Sequence, residues 1–139
     1  MSEARPRILF KCAACGLRLT RAILLLVEAP ALPSEDGVDL IAEGCCWRDD
    51  RPGRTYGRFL LNRKDVVNTR SHDDPRRVSG CCGPSGIDGV NLLCVNGHET
   101  ATESSDCWTG PHYVELEPDT FIITELVREA EPAAAPDRG

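Results

Sequence analysis

The chain has 139 residues, a net charge of −6, 5% aromatic residues, 10 prolines and eight cysteines. That length suits one domain with tails, and the acidic balance argues against a general polyanion binder. Few aromatics and many prolines predict a mainly β fold, with small irregular antiparallel sheets, little helix and a covalent or metal staple.

No apolar run reaches the roughly 18–20 residues of a membrane helix; the longest, residues 22–27 (AILLLV), has six. The start, MSEARPRILFK, carries an acid and lacks a long apolar stretch, so it does not read as a secretory signal, and a cytoplasmic location is expected. In a reducing compartment, cysteines are expected as thiolates on metal rather than as disulfides. Charge is uneven. Residues 48–77 carry nine Lys/Arg against five acids, and the rest of the chain seven against 17.

Residues 1–6 read as a short tail and 7–128 as one zinc-stabilised domain. Residues 7–11 (RILFK) should form a strand that delivers Cys12-Ala-Ala-Cys15-Gly16. Two thiolates three residues apart on a tight turn can share one ion, and the glycine lets backbone amides face the sulfurs. A thioredoxin-type redox motif is the rival, but it should open a helix within a βαβ unit. Residues 17–27 are read as a strand, 28–37 (EAPALPSEDG) as a loop and 38–42 as a brief strand. Cys45-Cys46-Trp47 follows, then a polar turn and a strand over 55–61 in which Gly57 marks a bulge. Asn62 can cap a helical turn within 62–70. Residues 71–77 (SHDDPRR) read as charged loop.

The densest stretch is 80–108, GCCGPSGIDGVNLLCVNGHETATESSDCW. It combines Cys81, Cys82, Cys94, Cys107 and His98 with five glycines. Residues 90–95 (VNLLCV) predict a strand, and Asn96-Gly97 predicts a hairpin returning over 98–102. Cys94 and His98 thus flank one turn. Cys107 can be a ligand or a thiol buried beside Trp108. Residues 113–116 and 121–127 predict two further strands, and 129–139 (EAEPAAAPDRG) a disordered tail.

Lys11 to Gly16 resembles the first knuckle of a zinc ribbon, and Cys94-Val-Asn-Gly-His98 resembles a variant second knuckle with histidine one position late. The resemblance covers about a dozen residues. It implies a small β-rich unit clamped by zinc and leaves the fourth ligand open. The preferred set is Cys12, Cys15 and Cys94 with one of Cys82, Cys81 or His98, and Cys82 is taken first. Cys107, Cys45 and Cys46 are further candidates, and the ligand supply suffices for one or two Zn2+ ions. Adjacent side chains on extended backbone point to opposite faces. One member of each vicinal pair is therefore expected to pack inward.

His72 reads as a solvated loop residue, and His112 as locally satisfied. No Walker loop, H-E-x-x-H or deaminase set is present. The expected function is a non-enzymatic zinc-binding module that mediates protein–protein interaction. One alternative is a thiol-redox enzyme or sensor using the C-x-x-C or a vicinal pair, with arginines after Cys46 lowering a thiol pKa. The other is a nucleic-acid-binding ribbon using the basic segment 48–77.

Overall fold

The computed structural model describes residues 7–107 and 110–126. The expected tails, 1–6 and 129–139, and the neighbour Trp108 lie outside the described residues. The chain is mainly β, as its composition predicts. Among the described residues nine strands form one mixed sheet: β1 (Arg7–Cys12), β2 (Ile23–Leu26), β3 (Cys45–Arg48), β4 (Phe59–Leu61), β5 (Thr69–Ser71), β6 (Leu92–Cys94), β7 (Glu99–Ser104), β8 (Tyr113–Leu116) and β9 (Phe121–Leu126). Their order across the sheet is β5-β6-β7-β8-β4-β3-β2-β1-β9. Among the described strand pairs all are antiparallel except β2 with β3; the isolated Asp39–His112 bridge is also parallel. That parallel pair departs from the antiparallel expectation. The long 28–44 connection carries the chain across and lets β3 return in the direction of β2.

Further expectations shift, and the strand expected over 17–27 is reduced to Ile23–Leu26. Residues 38–42 contribute only a bridge from Asp39 to His112 rather than a strand. The strand expected over 55–61 is reduced to Phe59–Leu61. Gly57, at φ 80°, closes a turn there in which its N–H donates to Asp49 O at 2.6 Å. The helical turn after Asn62 is a single 3-10 turn over Arg63–Asp65, capped by the Asn62 side chain accepting from the Lys64 N–H. Another 3-10 turn, Pro75–Val78, lies in the stretch expected as loop.

The central strands bury side chains on both faces. Cys46 lies opposite Leu61, and Trp47 opposite Leu60. Because side chains alternate along a strand, the first pair joins Phe10, Ile23, Val114 and Leu116 in the main core, and the second packs with Leu40 and Ile41. Fully burying each such aliphatic side chain contributes about 1.5–3 kcal/mol. Phe10, Phe59 and Phe121 meet edge to face at 5.1–5.8 Å between ring centres, locking β9 and β4 over β1.

Buried polar side chains tie the loops to this frame. Asp65, fully buried, takes Arg21 Nη2 at 2.8 Å and the Gly44 N–H at 2.7 Å, fixing the entry to β3. Asn91 accepts from the Glu103 N–H at 2.7 Å and donates to Glu103 O at 2.9 Å, supplying by side chain the bonds a strand would make. Among the described residues no helix is long and apolar enough to cross a membrane.

Candidate metal centre

The first knuckle grows out of β1. After Cys12 the chain reverses: the Gly16 N–H donates to Cys12 O and the Cys12 N–H to Leu17 O, both at 2.7 Å. Gly16 takes φ 78°, a conformation that costs glycine least. Leu19 N donates to Phe10 O, so the segment after the knuckle returns along β1 rather than entering a helix. The segment therefore opens no helix, the context a thioredoxin-type redox motif needs.

The segment expected as the second knuckle is the β6–β7 turn. The Cys94 N–H donates to His98 O at 2.8 Å and the Gly97 N–H to Cys94 O at 2.7 Å, with Gly97 at φ 97°. Asn68 joins the two knuckles. Its side chain donates to Arg18 O at 2.8 Å, and its carbonyl accepts from the Val95 N–H at 3.0 Å.

The four ligand atoms of Cys12, Cys15, Cys94 and His98 lie within 4.8 Å of one another. Cys15 Sγ is 3.9 Å from Cys94 Sγ, and His98 Nδ1 is 3.7 Å from Cys12 Sγ and 3.2 Å from Cys94 Sγ. A tetrahedral ion with bonds of about 2.3 Å to sulfur and about 2.0 Å to nitrogen separates its ligands by roughly 3.5–3.8 Å. The group therefore has the dimensions to hold a metal ion.

Burial divides its members. Cys12 and Cys94 are buried with Leu19 in a small apolar cluster, whereas Cys15 is exposed. Burial pushes the Cys12 thiol up. Cys15 is lowered to about 6, chiefly by the hydrogen bond from the Asn96 side chain, whose nitrogen lies 3.4 Å from the sulfur. His98 is among the candidates that the spacing leaves open for the fourth place, whereas Asn96 reads from the sequence only as part of the turn. The signal for them was the Asn-Gly turn itself, which places one on each side of Gly97.

Cys82, the first-choice fourth ligand, is placed elsewhere. It forms a disulfide with Cys107, Cα to Cα 5.8 Å. The expectation of thiolates rather than disulfides is corrected at this pair, which the glycine turn of residues 80–83 brings against residues 105–107. Cys81 is a free, exposed thiol beside it.

Cys45 and Cys46 occupy β3 and belong to the packing of the sheet. Cys46 is fully buried in the main core, and Cys45 packs against the second cluster. Burial pushes the Cys46 thiol up to about 12, so the neighbouring arginines do not make it a reactive thiolate.

His72 is tied down rather than solvated. Its Nε2 meets Glu99 Oε2 at 2.9 Å and its Nδ1 accepts from the Asp74 N–H. His112 is held through its backbone, to Val38 O and from the Leu40 N–H, while its buried Nε2 has no hydrogen-bond partner among the described residues.

The basic segment is largely engaged in ion pairs. Arg51 pairs with Asp49, Arg58 with Glu115 and Glu117, Arg63 with Glu103, Arg70 with Asp73 and Arg76 with Asp74. Phosphate contacts need clustered cations free to face the ligand, and these guanidinium groups already face carboxylates. No protein-family model matches the chain, and comparison with the curated proteins and with the solved structures found no match.

Proposed function

We propose that the chain is a non-enzymatic, zinc-ribbon-like module in which Cys12, Cys15, Cys94 and His98 hold one structural Zn2+ and the ordered sheet engages a protein partner. The observation that carries this reading is the convergence of these four ligand atoms within 4.8 Å. Three sulfurs and an imidazole suit zinc, and four protein ligands fill a tetrahedral ion without an open position for substrate. The role is then to clamp residues 12–19 to 94–98, loops joined chiefly through Asn68 and the small cluster around Leu19.

The partner surface follows from the same place. Cys12 is opposite Phe121 in the β1–β9 register, so an ion fixing Cys12 also fixes the start of β9. β9 is an edge of the sheet and exposes Ile122 and Ile123. An open edge with apolar side chains suits pairing with a strand of another protein.

Native mass spectrometry of protein purified under reducing conditions should find tightly held zinc that a chelator removes. A photo-crosslinking residue at position 122 should trap a protein before chelation and not after. A folded, metal-free chain whose stability is insensitive to zinc overturns the metal reading. Absence of any crosslink from the zinc-loaded chain overturns the partner reading.

A further inference from the structure

We propose that Cys81, Cys82 and Cys107 form a second, redox-gated site for a soft divalent cation of the zinc class, open when the three are thiols and closed by the Cys82–Cys107 disulfide. The three sulfurs lie within 4.8 Å of one another, in a group separate from the four ligands described above. Two of them are the sulfurs of the disulfide. Ion and disulfide therefore compete for the same atoms.

The backbone is built to bring them together. On extended chain, adjacent thiols would point apart, but residues 80–83 form a turn closed so tightly that side chains are excluded. A Cβ on Gly80 would lie 1.8 Å from Gly83 O, and one on Gly83 would lie 2.8 Å from Ser105 Oγ. The Ser105 N–H donates to Pro84 O at 2.9 Å, and the Cys82 N–H to Asp106 Oδ1 at 3.3 Å. These bonds hold the turn against residues 105–107 independently of the sulfur chemistry.

Access is open as well. Cys81 and Cys82 are exposed and Cys107 is half-buried, so an ion and a small thiol can both reach the site. Three thiolates favour a soft ion and leave one place of a tetrahedron for solvent.

The exchange balances with a low-molecular-weight thiol–disulfide pair as co-reactant. Two small thiols reduce the Cys82–Cys107 bond, yielding two protein thiols and one small disulfide. The ion then binds the three sulfurs as their three protons leave. In reverse, the two metal-bound thiolates of Cys82 and Cys107 give two electrons to a small disulfide. It takes up two protons and departs as two thiols, the protein disulfide forms, the ion is released, and Cys81 takes up the third proton to become a free thiol again.

The test equilibrates the full chain with Zn2+ in glutathione buffers poised from reducing to oxidising, then counts bound zinc by native mass spectrometry after desalting. The reduced protein should carry one zinc more than the oxidised protein, whose peptide map shows Cys82 joined to Cys107. Cys81→Ser should lose the redox-dependent ion and still form the disulfide. Cys15→Ser, which removes a ligand of the other centre, should keep the redox-dependent ion, so failure of one site is distinguishable from failure of the other. An equal zinc count in both redox states, or a redox-dependent ion that survives Cys81→Ser, overturns the proposal.

Discussion

Cys15→Ser isolates the energetic contribution of the proposed Cys12/Cys15/Cys94/His98 ion. Cys15 is exposed, and its sulfur sits 3.4 Å from the Asn96 nitrogen and 3.9 Å from Cys94 Sγ. Without metal, replacing it should change stability by no more than about 0.5 kcal/mol, as for other surface substitutions. With Zn2+ held at 100 times its dissociation constant, the wild-type protein gains about 2.7 kcal/mol. For a domain of this size that corresponds to a rise in Tm of roughly 10 °C. Loss of a direct ligand should weaken binding by at least the 10–100-fold typical of groups that only orient one. A 100-fold weakening leaves an increment of about 0.4 kcal/mol at the same zinc concentration, or 1–2 °C at about the same conversion. The assay is thermal unfolding of both proteins under reducing conditions, with zinc and with chelator. Equal zinc-dependent shifts in wild type and variant, or a wild-type Tm unmoved by the chelator, would refute the four-ligand centre.

Two further outcomes concern the frame. Asp49, almost fully buried, is lowered from 3.8 to about 2, first by the hydrogen bonds from Arg51, with Thr55 also contributing. Its folded-state pKa lies below the unfolded one, so its stabilisation is complete above about pH 4 and is lost as pH falls through 2. At about 1.4 kcal/mol per unit it amounts to about 2 kcal/mol. Urea titrations at pH 7 and pH 2 should find Asp49→Asn less stable than wild type at neutral pH and nearly equal at acid pH; a constant gap would exclude this carboxylate. Arg58→Gln removes the 2.8 Å partner of Glu115, a carboxylate 2% exposed that keeps Arg54 at 3.3 Å. It should cost about 2 kcal/mol and leave retention on immobilised DNA as it was; weakened retention at unchanged stability would instead support the nucleic-acid alternative.

The strands legible in the sequence were those whose apolar alternation had a register partner of matching character. Residues 113–116 were bounded without error because Val114 and Leu116 face the main core, with Leu116 opposite Ala101. β3 carries no such alternation, because its four residues, Cys-Cys-Trp-Arg, read as chemistry rather than as strand. Its pairing is long-range, parallel to β2 across the 28–44 connection, and no local signal announces such a partner. β5 carries no local signal either. Thr69-Arg70-Ser71 is polar and becomes a strand only because Cys94, Leu93 and Leu92 lie opposite.

The cysteines divide by backbone conformation more than by spacing. Alternation along extended chain holds at Cys45 and Cys46, and there it sends the two thiols into different apolar clusters, where a sheet interior rather than an ion accounts for them. At Cys81 and Cys82 the premise of extended backbone fails. The glycine turn bends both toward Cys107, and that pair's apparent claim on the fourth place beside Cys12, Cys15 and Cys94 disappears with it. His98 is instead the residue whose ring nitrogen completes the group of ligand atoms within 4.8 Å, and the turn supplies a steric reason. In a Cys-x-x-Cys knuckle the fourth position carries the second thiol, but here that position is Gly97 at φ 97°, which bears no side chain. Moving the ligand one residue onward places it past the turn, opposite Cys94, where the ring nitrogen closes to 3.2 Å of Cys94 Sγ. The turn thus keeps a side chain off position 97 and makes position 98 the first one past it that can face Cys94.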